Sequence, residues 1–224
     1  MQVEAADRLL HARPLGCEKL FTEVDPAAAA VAAAHWLQAA ADITSEVCGL
    51  PATDVVVESD NIHALPHETP THVLTMMEVG VRPYEVVTSL IDEAMTAAEG
   101  KIPDPDELRE RFTEAEEMVQ DHSEDPSLRH ALLASVRTTP LDPIRPAPDL
   151  LEDLLAGIEG CATLFHEYAG QLDDASCGPI ELPETDPDDD EVDQEDWDAY
   201  TQEIHERFVA LVGVEAENNR DRLL

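Results

Sequence analysis

The chain has 224 residues, 43% hydrophobic, 4% aromatic and 28% charged, so it can bury a real core built from aliphatic side chains and alanine rather than from aromatics. Fifty Asp and Glu face thirteen Lys and Arg, a formal charge of −37, with no cation between Lys19 and Arg82 or between Arg145 and Arg207. Affinity for phosphates and for anionic lipid rests on Lys and Arg, so this balance argues against direct DNA or RNA binding and against a membrane surface.

Two accounts of the acidity compete. In one it is a halophilic adaptation to a salty cytoplasm, which the use of two Lys against eleven Arg fits, as does a GC-rich genome. In the other it is a recognition surface for a basic partner. Residues 1–7, Met-Gln-Val-Glu-Ala-Ala-Asp, carry acids where a signal peptide needs bases. No apolar run approaches the roughly 20 residues of a membrane span. The alanine-dominated stretch 27–34 is soon interrupted by His35, Gln38 and Asp42. Cys17, Cys48, Cys161 and Cys177 contain no CxxC pair and read as reduced thiols, so the expected location is cytoplasmic.

In chain order, Asp25-Pro26 opens the first strongly patterned helix, because the Asp oxygen can cap an orphan N–H and proline at the first helical position gives up nothing. Its stripe is Trp36, Ala40, Ile43 and Val47. Residues 53–66 are ambiguous: Val55-Val56-Val57 is β-branched, yet a strand there lacks partners, and a short helix capped by Asp54 or an irregular connection fits better. Thr69-Pro70 is a second capped start, with Gly80 as its stop. The segment from Pro83 carries Val87, Leu90, Ile91, Ala94 and Ala98, and ends at Gly100. Asp104-Pro105, with Glu107 at capping-box spacing, opens a stripe of Leu108, Phe112, Ala115 and Val119; Asp125-Pro126 opens Leu128, Leu132 and Val136.

Pro140, Pro143, Pro146 and Pro148 then mark a boundary, since proline denies helix continuation. Beyond it come Leu151, Leu154, Ile158, Phe165 and Ala169, stopped at Gly170, and finally Trp197, Ile204, Phe208 and Leu211. The expected fold is all-α, an irregular multi-helix bundle with a long acidic loop before the last helix. Residues 1–139 form an N-terminal helical region. Residues 149–224 form a C-terminal helical pair holding the acidic loop 171–194. Two helices cannot close a core alone, so the pair is expected to share one composite core with the N-terminal region, or to pair with a second copy as a homo-oligomer. In the loop, eleven of the twenty residues from Glu181 to Tyr200 are acidic and none is basic, which predicts a mobile segment.

Motifs for chemistry are sparse. Asp186, Asp188 and Asp190 alternate like the start of an EF-hand loop, but Glu191 replaces the turn glycine and Trp197 occupies the bidentate Glu position. The run Asp186, Asp188, Asp189, Asp190, Glu191 and Asp193 is therefore read as a candidate partner-binding segment. His63, His67 and His72, with Asp60 and Glu68 nearby, are the candidate metal ligands, although Pro66 and Pro70 deny them a continuous helix to project from. His166-Glu167 is followed by Tyr168-Ala169-Gly170, so no zincin motif exists, and no Glu-x-x-His occurs; Asp60-Asn61-Ile62-His63 is the nearest approach. Nine glycines form no dinucleotide or phosphate loop, and no Gly-x-Ser-x-Gly elbow is present, so no cofactor is expected. Cys161 and Cys48 read as core residues, Trp36 and Trp197 as packing anchors. The function these features favour is a non-enzymatic acidic interaction or regulatory protein that binds a protein partner with a basic surface. The alternatives are a small metal-dependent enzyme using His63, His67 and His72, or an inhibitor that mimics nucleic-acid charge.

Overall fold

A computed structural model of the chain describes residues 2–12, 18–62, 68–98, 141–169 and 194–222. Among the described residues the chain forms eight helices and no strand: α1 (Gln2–Ala12), α2 (Lys19–Thr22), α3 (Pro26–Cys48), α4 (Ala52–Ile62), α5 (Thr69–Glu78), α6 (Pro83–Ala98), α7 (Pro146–Ala169) and α8 (Gln194–Arg222). None of them is long and apolar enough to cross a membrane. The all-α class expected from the stripes is what forms.

The alanine-rich α3 is the axis of the fold. A helix that is apolar all round must be surrounded, and residues 29–34, Trp36, Leu37 and residues 39–41 are all buried. Alanine at so many positions lets α1, α4, α7 and α8 approach closely. Asp25 caps the start as its sequence implies, its Oδ1 accepting from Ala28 N at 3.0 Å. The end is set by a residue the pattern reading passed over. Gly49 adopts φ 73° and returns its N–H to Ser45 O at 2.9 Å, the left-handed closure that glycine makes without strain.

The ambiguous valines are helical. α4 begins at Ala52, before Asp54, so Asp54 is not its cap; it lies in the first turn, where a carboxylate complements the helix dipole. Val55 and Val56 are fully buried, and burial outweighs their weak β preference. α5 also departs from expectation. Thr69 is its first helical residue rather than its cap, and Glu68 precedes it at φ 47°.

The proline cluster is divided. Pro146 and Pro148 fall in the first turn of α7, where a missing N–H costs nothing. Asp149 Oδ2 accepts from Asp142 N at 2.8 Å, and Arg145 clasps Glu152 with both terminal nitrogens at 3.1 and 2.9 Å, which fastens the turn to the helix it feeds. α7 lies along α3, with Thr44 Oγ1 donating to Cys161 O at 3.1 Å, and meets α4 at a very close crossing. There Ser59 Oγ donates to Gly157 O at 2.7 Å, and a Cβ added at Gly160 would sit 2.0 Å from Ser59 Oγ. α8 contributes Ile204, Phe208, Val212 and Ala216 at four-residue spacing, and Phe208 meets Phe165 of α7 with ring centroids 5.3 Å apart. One hydrophobic cluster runs through residues of α1–α8.

Candidate functional site

Among the described residues, two polar clusters that hold a buried unpartnered atom lie where three helices meet. The first joins α1, α3 and α8. Asp7 of α1 has both carboxylate oxygens engaged: Oδ1 accepts from Trp36 Nε1 at 2.9 Å, and Oδ2 accepts from Arg220 Nη1 at 2.9 Å. His11, one turn along α1, stands edge-on to the Trp36 ring at 4.9 Å, with its Nε2 3.6 Å from Glu217 Oε1. Beneath α1, His35 shares a cavity of about 20 Å³ with Val3, Glu4, Asp7, Ala32, Ala216 and Arg220. His35 Nδ1 is buried and accepts or donates no hydrogen bond. Burial pushes the His35 imidazole below its ordinary range; Asp7 opposes that shift and Arg220 adds to it. The pairing of a neutral imidazole with a carboxylate suits proton transfer in principle. The volume decides against it: a cavity of this size holds about one water, against roughly 300–1,000 Å³ for a ligand pocket. This cluster fastens helices together.

The second cluster lies where α4, α5 and α7 meet. Asp60 is only 2% exposed. Its Oδ2 accepts from Thr71 N at 3.3 Å and from Thr71 Oγ1 at 2.6 Å, while Oδ1 has no partner. Thr71 N belongs to the first turn of α5, so the cap expected from Thr69 is supplied across space by Asp60. Burial pushes the Asp60 carboxyl up to about 6; the two Thr71 hydrogen bonds restrain the shift, and the charge of Glu68 adds to it. Cys161, wholly buried beside Ser59, is pushed up to about 12 by burial, which keeps the thiol protonated and unreactive.

The residues singled out from sequence are placed as follows. His72 is exposed on α5, while His63 and His67 lie outside the described residues. Asp186, Asp188, Asp189, Asp190, Glu191 and Asp193 also lie outside them. Among the described residues no group of three or more His, Cys, Asp or Glu is arranged to hold a metal ion. His166 of α7 and His205 of α8 do face each other, ring centroids 6.1 Å apart, and burial with the neighbouring imidazole lowers the pKa of His166. Sequence reasoning passed over Asp7, His35, Arg220 and the capping role of Asp60. A histidine set within an alanine run was the one local signal available for the first of the two clusters. The chain matches no protein family, no curated protein and no solved structure.

Proposed function

We propose that the chain is a non-enzymatic interaction or regulatory protein whose acidic surface engages a protein partner with a basic surface. The observation that carries this reading is where four of the thirteen cations are used. Lys19 pairs with Glu23, Arg82 with Glu85, Arg145 with Glu152 and Arg220 with Asp7, all within the chain. Exposed Glu46, Asp54 and Glu58 of α3 and α4 sit in the cation-free span between Lys19 and Arg82 and make no ion pair among the described residues. Uncompensated charge of one sign raises the encounter rate with an oppositely charged surface and makes it dependent on salt.

The test is affinity capture from the native host, with the recovered chains identified and their association rates measured. Reversing Glu46, Asp54 and Glu58 to Lys is expected to slow association about tenfold at low salt, an effect that shrinks as salt is raised. Deleting residues 181–193 is expected to weaken capture further while leaving the helical circular dichroism intact. Equal capture by the reversed and deleted proteins contradicts the proposal.

A further inference from the structure

We propose that α1 is a strap that unfastens from α3 and α8 as a single unit while the rest of the fold stays closed, with Asp7 as its clasp. Four observations meet here. First, α1 is lightly anchored: of its eleven residues only Ala6 and Leu10 are fully buried, with Val3, Ala5 and Leu9 half covered. Second, the packing beneath it is incomplete, since the cavity and the unpartnered Nδ1 of His35 both lie on the surface that α1 covers. Third, its two 2.9 Å side-chain bonds to other helices converge on one residue, while His11 stands 3.6 Å from Glu217 of α8 and Gln2 accepts from Asp25 N at 3.5 Å. Asp7 holds an indole of α3 and a guanidinium of α8 at 2.9 Å each, and it is only 17% exposed, so these charge-assisted bonds are partly shielded from solvent. Fourth, eleven residues are too few for a stable isolated helix in water, where about 12–15 are needed even for favourable sequences. Once undocked, α1 loses its helix, so docking and folding of this element are one event.

That coupling gives the proposal a distinctive signature. Elements bound by few buried contacts open sub-globally, and every amide in such a unit exchanges through the same opening. Trp36, His35 and Ala216 are uncovered when it opens.

Native-state hydrogen exchange of the full chain, followed by peptide or by residue, tests it. The amides of α1 beyond its first turn, which are hydrogen-bonded within the helix, are expected to share one protection factor, at least about tenfold below those of the interior of α3, α4 and α7. Asp7→Ala, which removes both clasp bonds, is expected to speed exchange in α1 by a further tenfold or more and to leave α4 and α7 unchanged. Arg220→Gln removes only the α8 half of the clasp and serves if Asp7→Ala does not fold; it is expected to speed α1 by a smaller factor in the same direction. Protection in α1 equal to that of α3 overturns the proposal, as does acceleration spread evenly over all helices in either variant.

Discussion

Asp60, buried, and His35, half-buried, are titratable groups that each hold a buried unpartnered atom, yet they bend the pH profile of stability in opposite directions. The Asp60 carboxyl, at about 6, lies above its ordinary value of 3.8, so the folded chain holds that proton more tightly than the unfolded chain. Its cost is greatest above pH 6 and is relieved as pH falls from 6 toward 3.8. Asp60→Asn keeps an oxygen that can accept from Thr71 and removes the charge, so it is expected to raise stability at pH 8 by about 1–2 kcal/mol, a gain that fades by pH 4. A melting temperature at pH 8 below that of the parent protein contradicts this. The His35 pKa is lowered in the folded state, so its neutral form supports stability above 6.5, and that support is lost as pH falls. His35→Gln is expected to flatten the decline in melting temperature between pH 7 and pH 5; an unchanged slope shows that another group governs that range. Neither role was visible in the sequence. Asp7 and Arg220 are 213 positions apart and Thr44 and Cys161 are 117 apart, so only the packing of helices brings these partners together.

Helices were legible where local chemistry and burial agree. Asp25-Pro26 marks the start of α3, the stripe of α7 falls on residues that become its buried face, and in α8 Ile204 and Phe208 are buried while Leu211 is half-buried. Legibility failed where a distant contact decides. The three valines of α4 carry a β-branched signal that Val55 and Val56 override by burial, and α5 is capped by an aspartate from the preceding helix. The α4–α7 crossing is the sharpest constraint between elements. A methyl at position 160 meets the Ser59 side chain at 2.0 Å and its backbone Cα at 2.9 Å, so α4 must move bodily. Gly160→Ala is expected to cost about 1–3 kcal/mol or more, read as a fall in denaturant midpoint with little change in slope. Gly49→Ala meets nothing within 4 Å, and only its φ of 73° opposes it, so its cost is expected near 1 kcal/mol. A Gly160→Ala protein as stable as Gly49→Ala would show that the crossing is looser than this geometry.

At the scale of the molecule the apolar core and the excess charge occupy different residues. The core is a continuous set of aliphatic, alanine and aromatic contacts centred on α3, and none of them uses the excess acid. Among the described residues, the Lys19–Glu23, Arg82–Glu85 and Arg145–Glu152 ion pairs lie at the surface, where each contributes little to stability. A negative charge of this size repels itself and costs some stability in dilute solution. If the acidity serves recognition, that cost is one the core can carry. If it serves a salty interior instead, folding itself depends on salt. Helical circular dichroism during heating, compared between a dilute buffer near 50 mM salt and one at 2–3 M, separates the two most directly. A cooperative melt from a fully helical state in the dilute buffer is the predicted result, and loss of the helical signal there, restored only by molar salt, would contradict the recognition account.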